Sequence, residues 1–200
     1  MSNPDVAHRI CIGVDIGGSH ISCLAVDLET RLVFDKTLTR VSVEHNDTPE
    51  HIFGAWASAI SGPMDLRDHP AAGIGIAIPG PFDYREGISR MEHKFRQLKG
   101  IHIPAHLQKE LNVPGIDIRF MNDAVAFAVG EAWIGAGEHA KRIVVITLGT
   151  GFGSAYVENG IPVISRADVA PEGCFWHLPF REGIADEYFS TRWFIRKYAE

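Results

Sequence analysis

The sequence lacks several features that define common protein classes. Its longest apolar stretches, such as residues 143–148, fall far short of the roughly 20 residues that cross a bilayer as a helix. The N-terminus has neither the basic start nor the apolar run of a secretory signal. Its cysteines, Cys11, Cys23 and Cys174, form no CxC or CxxC pair, so neither a disulfide framework nor a zinc knuckle is indicated. These absences predict a cytoplasmic protein without a membrane partner.

Acidic side chains outnumber basic side chains in this sequence. The chain has 19 Lys and Arg against 25 Asp and Glu, a net charge of −6, and a field of that sign repels a polyanion. Only residues 1–9 precede the first predicted strand, too few for a DNA-reading domain. We therefore expect no nucleic-acid partner.

What the chain does contain is a series of short periodic segments separated by turn signals. Apolar alternation predicts strands, and apolar residues recurring every three or four positions predict helices. The predicted strands are residues 10–15, 20–27, 31–38, 73–78, 115–121, 143–148 and 154–157. The predicted helices are residues 49–60, ended by Ser61, Gly62 and Pro63, then 103–111, 122–133 and a helical tail, 187–200. AsnGly at 159 and 160 is a further turn signal.

One pattern occurs twice: a strand, a glycine-rich turn and a second strand, around Gly17 and again around Gly151. Backbone N–H groups in such a turn can converge on an anion because no Cβ is in the way. An ordinary tight hairpin is the alternative for each turn. A strand, residues 21–26, follows the first turn where a dinucleotide fold needs a helix, and the sequence has no GxxxxGK[ST] motif. The turns are therefore candidate phosphate sites of another kind.

Asp15 lies at the end of the first predicted strand, directly before the first glycine turn. A carboxylate there suits a hydrated magnesium ion beside the phosphates. A strand-terminal Asp is also a common turn former.

Four blocks of sequence together resemble the ROK (repressor, open reading frame, kinase) family of sugar kinases. GVDIGGSH, residues 13–20, followed by Asp27, resembles the first phosphate motif of the actin-like sugar kinases, and LGTGFG, residues 148–153, resembles the second. GIAIPGP, residues 75–81, and NDAVAFAVGEAW, residues 122–133, resemble two blocks peculiar to the ROK family. The blocks occur in the family's order, and their joint occurrence is a stronger signal than any one of them.

The resemblance implies an α/β, actin-like (ribonuclease H-like) two-lobed sugar kinase fold. Residues 1–121 would form the N-terminal lobe, and residues 122–200 would begin the second. The implied activity is transfer of the γ-phosphate of MgATP to a hexose, with glucose expected from the family's base rate, and analogy suggests a homodimer. The implied phosphate-binding residues are Asp15, which would bind Mg²⁺ through water, with Gly17, Gly18, Ser19, Gly149, Thr150, Gly151 and Gly153.

Asp123 is the implied catalytic base. Phosphoryl transfer needs positioning, charge neutralisation and a carboxylate that takes the hydroxyl proton. Asp123 opens a predicted helix, whose positive end favours the ionised form. Local sequence alone also fits a helix cap at Asn122 or Asp123, and capping is compatible with catalysis. In the family pattern Asn122 would bond sugar hydroxyls, while Gly80 and Pro81 would shape the opposite wall.

The chain departs from the family in the rest of the implied sugar site. The family uses a Glu and a His from an ExGH block. His177 matches that His, but Cys174 stands where the Glu belongs, and Glu172 lies two positions early. Whether Glu172 substitutes is open. His177 either contacts sugar or packs beside Trp176.

A later Glu of the family follows a cysteine-rich zinc loop. Glu187, within residues 186–190, matches that Glu and is a candidate sugar contact, whereas residues 181–184 stand in place of the zinc cysteines. No zinc site is predicted. Because the family's larger lobe continues past the position matching Glu200, we expect a truncated chain whose own activity is open.

Two alternatives compete with an active kinase. The altered ExGH block and the absent zinc loop motivate a catalytically impaired sugar- or nucleotide-binding protein of the same family. The family also includes sugar-responsive transcription regulators, but the acidic balance and the few residues before the first strand oppose that interpretation.

Overall fold

The computed structural model describes residues 8–65 and 70–199, which divide into two compact units between Asp123 and Ala124. The strands of unit 1 are β1 (Ile10–Ile16), β2 (His20–Asp27), β3 (Leu32–Ser42), β4 (Gly73–Ile78), β5 (Phe82–Asp83), β6 (Ile88–Ser89) and β7 (Asp117–Asn122). Its helices are α1 (Pro49–Met64) and α2 (Ile103–Glu110). No helix in the described ranges is both long and apolar enough to span a membrane.

A five-stranded mixed sheet with the order β3-β2-β1-β4-β7 forms the centre of unit 1. Strands β1 to β3 are an antiparallel meander, and β4 and β7 run parallel to β1. Alternate residues of β1 are buried, so one face of the sheet is apolar, and α1 covers it with Ile52, Phe53, Trp56 and Ile60. The Trp56 ring packs edge-on against Phe53 at 5.7 Å and Phe95 at 5.4 Å.

Helix α1 runs through Met64, so the predicted end at Ser61, Gly62 and Pro63 is wrong. Proline lacks the N–H that would reach the carbonyl four residues earlier, which is that of Ala59. The Thr39 hydroxyl donates to the Ala59 oxygen at 2.8 Å instead. A side chain of β3 thus satisfies the group that Pro63 leaves without its helical donor.

Asp27, at the far end of β2 from the glycine turn, is a fully buried carboxylate. It accepts hydrogen bonds from the His8 ring at 2.7 Å, the Thr30 hydroxyl at 2.8 Å, and the backbone N–H groups of Arg9 and Glu29 at 3.2 and 3.0 Å. The bond from His8, with help from the other three, holds the pKa of Asp27 well below its usual range despite burial. This end of the meander is therefore fixed by one ionised side chain.

The second part of the chain is smaller. Its helices are α3 (Asp123–Ile134), α4 (Ala185–Phe189) and α5 (Thr191–Ala199). Its strands are β8 (Arg142–Leu148), β9 (Phe152–Glu158), β10 (Ile161–Pro162), β11 (Pro179–Phe180) and β12 (Gly183–Ile184). Strands β8 to β10 form an antiparallel sheet, and a two-residue turn joins β9 to β10 with φ of 50° at Asn159 and 77° at Gly160. This confirms the AsnGly turn prediction.

The predicted helical tail, residues 187–200, is two helices rather than one, and Glu200 lies outside the described residues. Ser190 separates them in an extended conformation, with φ of −94° and ψ of 159°. Its carbonyl already accepts from the Trp193 N–H at 3.0 Å, the arrangement of an N-cap residue. Serine favours that position, so the chain restarts a helix instead of continuing one.

Candidate active site

The register of the parallel strands places the predicted unit 1 residues at one edge of the sheet. Asp15 of β1 is opposite Ala77 of β4, and Ile78 of β4 is opposite Asn122 of β7. Because carboxyl ends of parallel strands meet at the same edge, Asp15, Asn122 and the next residue, Asp123, lie near one another. This edge is built by β1, β4 and β7 together, and no one of the strands supplies it alone.

Asp15 and Asp123 form a pair of like charges at this edge, and both side chains are exposed. Neighbouring protein atoms desolvate the Asp15 carboxyl enough to raise its pKa; the negative charge of Asp123 raises it further, and Arg40 opposes the shift. The two acids thus favour a cation or a proton between them. Asp123 is also the first residue of α3, as predicted.

The donor chemistry fits Mg²⁺. This ion is commonly held by one or two carboxylates and completed by phosphate oxygens and water. In the described ranges, no cluster of three or more His, Cys, Asp or Glu side chains has a metal-binding arrangement. A Mg²⁺ ion held through Asp15 would therefore need a phosphate-bearing substrate to complete its coordination shell.

The opposite wall of this edge contains a residue that the sequence analysis missed, Tyr84. Asn122 donates its amide N–H to the Tyr84 oxygen at 3.4 Å, and the Tyr84 hydroxyl donates to the Ile78 carbonyl at 3.3 Å. A Cβ at Gly80 would lie 3.3 Å from the Tyr84 oxygen, and the peptide bond from Gly80 to Pro81 is cis. Tyr84 therefore connects Asn122 to the Gly80 loop.

Burial raises the pKa of the Tyr84 phenol, the Asn122 bond opposes that shift, and the Asp123 charge adds to it. Tyr84 is therefore a neutral hydrogen-bonding group in this wall at physiological pH.

The first glycine turn, residues 17–19, joins β1 to β2 and leaves two backbone donors unused. The Gly17 N–H donates to the His20 carbonyl at 2.9 Å, whereas the N–H groups of Gly18 and Ser19 have no acceptor within the described part of the chain. The Ser19 hydroxyl lies 2.9 Å from Nδ1 of His20. Adjacent free N–H groups in a turn are the elements of an anion site.

The second glycine turn, residues 149–151, has the same property in the other unit. The Gly149 N–H is bonded to the Gly151 carbonyl at 3.0 Å, and those of Thr150 and Gly151 find no acceptor among residues 8–65 and 70–199. Gly153 follows at the start of β9, where a Cβ would collide with the Thr147 side chain and lie 3.0 Å from the Ala124 Cβ. Only glycine fits there without repacking.

Asp186 is a second residue that sequence analysis missed, although its neighbour Glu187 was predicted. Its carboxylate accepts from the Phe152 N–H at 2.6 Å and pairs with the Arg192 guanidinium. The Thr191 N–H donates to the Gly149 carbonyl at 2.8 Å. The second turn and the adjoining Phe152 are therefore fastened to the starts of α4 and α5, and the Phe152 N–H is already bonded to an anion of the protein.

The predicted sugar contacts of this unit, Glu172, His177 and Glu187, each have different surroundings. Glu172 is exposed in a tight turn with φ of 58°, and Glu187 accepts from the Ile184 N–H at 3.1 Å, which holds it at the start of α4. The His177 ring packs edge-on against Trp176 at 5.2 Å, with Nδ1 3.7 Å from Cys174 Sγ. Within the described ranges, no hydrogen bond or ion pair joins Glu172, His177 and Glu187.

Taken with the glycine hairpin and the carboxylates at the sheet edge, this α/β architecture is of the actin-like class, which confirms the predicted fold class. The sequence profile of the ROK family matches residues 11–182. The chain belongs to the ROK family.

Three similar proteins carry kinase names. A glucokinase of Thermotoga maritima is 33% identical over 161 residues, which is 80% of this chain and 48% of the relative. An N-acetyl-D-glucosamine kinase of Histophilus somni is 31% identical over 151 residues, 74% of this chain and 46% of the relative. The inorganic polyphosphate/ATP-glucomannokinase structure from Arthrobacter sp. strain KM has a TM-score of 0.72 at 29% identity, covering 95% of this chain and 72% of that one. The chain spans about half the length of these curated relatives.

Proposed function

We propose that this chain is part of an ATP-dependent hexose kinase, with glucose as the acceptor and Asp123 as the catalytic base. The observation that carries the proposal is the register that brings Asp15, Asn122 and Asp123 to one sheet edge. Backbone donors at the adjoining glycine turn that have no acceptor in the described residues supply the anion-binding element beside it. Membership of the ROK family and the kinase names of the relatives agree with this chemistry.

The proposed step is transfer of the terminal phosphoryl group. The sugar hydroxyl oxygen bonds to phosphorus, the bond from phosphorus to the departing ADP oxygen breaks, and the hydroxyl proton passes to Asp123. Asn122, held by Tyr84, orients the sugar together with Gly80 and Pro81. When bound, Mg²⁺ would offset phosphate charge, with Asp15 holding it through water.

Phosphate contacts are proposed in each unit by itself. They are Gly17, Gly18 and Ser19 in the first turn and Gly149, Thr150, Gly151 and Gly153 in and beside the second. The N–H groups of Gly18, Ser19, Thr150 and Gly151 that lack acceptors in the described structure support this assignment.

The identity of the acceptor hexose is the most specific part of the proposal. The relatives' names refer to glucose, N-acetylglucosamine and a glucomannokinase, so the acceptor panel is glucose, mannose and N-acetylglucosamine. Glu172, His177 and Glu187 are the proposed additional sugar contacts. The lobes at residues 1–121 and 122–200, a cytoplasmic location and a homodimer are part of the same proposal.

A coupled ADP-release assay of the full chain against this panel tests the proposal. We expect phosphorylation of at least one hexose and a loss of turnover of about 10²- to 10⁴-fold in Asp123→Asn, because the hydroxyl proton loses its acceptor. Asp117→Asn is the matched control: Asp117 is exposed at the other end of β7, where it pairs with Arg119 at 2.8 Å. Undiminished turnover in Asp123→Asn would assign the base elsewhere.

Two observations favour a second candidate, a binding protein without catalysis. Cys174 replaces a family carboxylate, and the Asp186 carboxylate occupies the Phe152 N–H at the second turn. Calorimetric titration separates the two: sugar or nucleotide binding without turnover supports this candidate, and ADP release with sugar phosphate formation rejects it.

A further inference from the structure

Lys94 lies on the first glycine turn. A Cβ built at Gly18 would be 3.2 Å from both Cε and Nζ of Lys94 and 3.3 Å from Cδ. A side chain at position 18 would therefore press against the outer half of the lysine side chain, which would have to shift slightly. We propose that the Lys94 ammonium joins the first glycine turn in binding phosphate and contacts an oxygen of the terminal phosphate of ATP. This inference rests on the proposed function.

The ammonium is available for a ligand. No hydrogen-bond acceptor or carboxylate partner of Lys94 is present in residues 8–65 and 70–199. Two basic side chains of the same segment are paired: Lys99 with Glu92, and Arg90 with Asp83 at 2.9 Å. Lys94 is half-buried and has no carboxylate partner in the described structure. A bound anion would therefore compensate its charge.

The segment that carries Lys94 is firmly anchored. Its neighbour Phe95 is fully buried, and its ring packs edge-on against Trp56 at 5.4 Å and His45 at 6.3 Å. The Phe95 backbone is left-handed, with φ of 49° and ψ of 38°, a conformation that non-glycine residues adopt rarely. The buried ring maintains this conformation, which sets the direction in which the chain presents Lys94.

The donors around Gly18 form a set suited to phosphate. The backbone N–H groups of Gly18 and Ser19 have no acceptor in the described residues, and the Lys94 ammonium lies over the same turn. Backbone N–H groups fix the position of a phosphate, and an ammonium adds charge-assisted hydrogen bonds. This gives a physical reason for glycine at position 18, because a side chain there would crowd the end of Lys94.

Lys94 forms and breaks no covalent bond in the proposed step. Phosphorus gains a bond to the sugar oxygen and loses its bond to the ADP oxygen, while the proton goes to Asp123. The lysine offsets negative charge on the oxygens of the group in transfer, and such donors act most strongly in the transition state.

Three variants of the full chain test the assignment: Lys94→Met, Lys94→Arg and the control Lys99→Met, which alters a lysine of the same segment. We expect kcat/KM for MgATP to fall about 100-fold in Lys94→Met. KM for the sugar should stay within about threefold in all three variants, and Lys94→Arg should recover about a tenth or more of the activity because it keeps the charge. A purely structural role would lower the melting temperature and affect both substrates alike.

The assignment is overturned if Lys94→Met keeps kcat/KM for MgATP within about threefold of wild type, or if the loss lies in KM for the sugar. Titration with inorganic tripolyphosphate gives a readout that does not depend on sugar phosphorylation. If Lys94→Met binds tripolyphosphate at least about tenfold more weakly than wild type and Lys99→Met do, the role of Lys94 in phosphate binding is supported. This holds even if no sugar is phosphorylated, a result that would reject only the kinase proposal. Equal binding by all three proteins, or no binding by wild type, rejects the lysine.

Discussion

The two units hold their glycine turns by different means. In unit 1 the turn between β1 and β2 is carried by a sheet whose buried face packs on α1 through a continuous apolar core. In unit 2 the fully buried apolar cluster under the sheet consists of Ala128, Ala155 and Val157, while Val144, Ile146 and Leu148 of β8 are at least 50% exposed. Its glycine turn is fastened by hydrogen bonds to Asp186 and Thr191.

This difference teaches that the same turn chemistry can depend on two kinds of support. Apolar burial is non-directional and spreads over many side chains, so the loss of one polar contact at the first turn should change little. A few directional hydrogen bonds hold the second turn, so the loss of one should release it. Three experiments test this contrast, and their expected effects decrease in the order given.

The largest effect is expected from truncating the centre of the unit 1 core. Trp56→Ala removes a fully buried indole and should lower the free energy of unfolding of unit 1 by about 3–5 kcal/mol, whereas Val157→Ala in unit 2 should cost about 1–2 kcal/mol. Amide hydrogen exchange followed by mass spectrometry reports each unit separately. If Trp56→Ala accelerated exchange equally in both units, they would unfold together and the contrast would be lost.

An intermediate effect is expected from Asp186→Ala. This change leaves the Phe152 N–H and the Arg192 guanidinium without their partner and should cost about 1–3 kcal/mol, felt mainly in residues 149–153. Exchange in the second turn should rise about tenfold or more, while exchange in the first turn stays unchanged.

Asp168→Ala is the control for Asp186→Ala, since it removes an exposed partner of Arg166 in the same unit and should leave stability nearly unchanged. Unaltered exchange in residues 149–153 of Asp186→Ala would show that the turn does not depend on this carboxylate.

The smallest effect should be a gain of stability. The pKa of Asp15 is raised in the folded state, so the native protein binds this proton more tightly than the unfolded chain does. Its contribution therefore favours folding below the unfolded pKa of about 3.9 and is lost as pH rises through the folded pKa. Asp15→Asn should accordingly raise stability near pH 7, where the carboxylate is ionised, and by less near pH 4.

Urea unfolding at the two pH values measures whether Asp15→Asn raises or lowers stability. Asp27→Asn is the comparison variant, for which the opposite change is expected. The lowered pKa of Asp27 stabilises the fold above the unfolded pKa, and this contribution disappears as pH falls through the folded pKa. Asp27→Asn should therefore destabilise most near pH 7. Destabilisation by Asp15→Asn at neutral pH would mean that the carboxylate pair at the sheet edge is not a strained arrangement.

Local pattern predicted much of the fold and part of the candidate site. The alternation in β1 and β4, the two glycine turns and the AsnGly turn are encoded by neighbouring residues, and the structure contains each of them. Asp123 at the start of α3 follows from the same kind of signal.

Long-range partners could not be predicted in this way. Tyr84 and Lys94 lie in the polar stretch between β4 and α2, which lacks a clear period, and they reach Asn122 and Gly18 only through the tertiary fold. The continuation of α1 past Pro63 likewise depends on Thr39, which is 24 residues away in the sequence. Such contacts are set by packing, on which sequence periodicity gives no information.

Strand β4 lies between β1 and β7 and is hydrogen-bonded in parallel to both. It therefore acts as the spacer that aligns Asp15 with Asn122, although it supplies neither side chain. An insertion or deletion of one residue within residues 73–78 would turn its buried isoleucines toward the opposite face and shift Asp15 relative to Asn122. Length variation among homologues of this chain should accordingly fall in the surface loops and spare this six-residue strand.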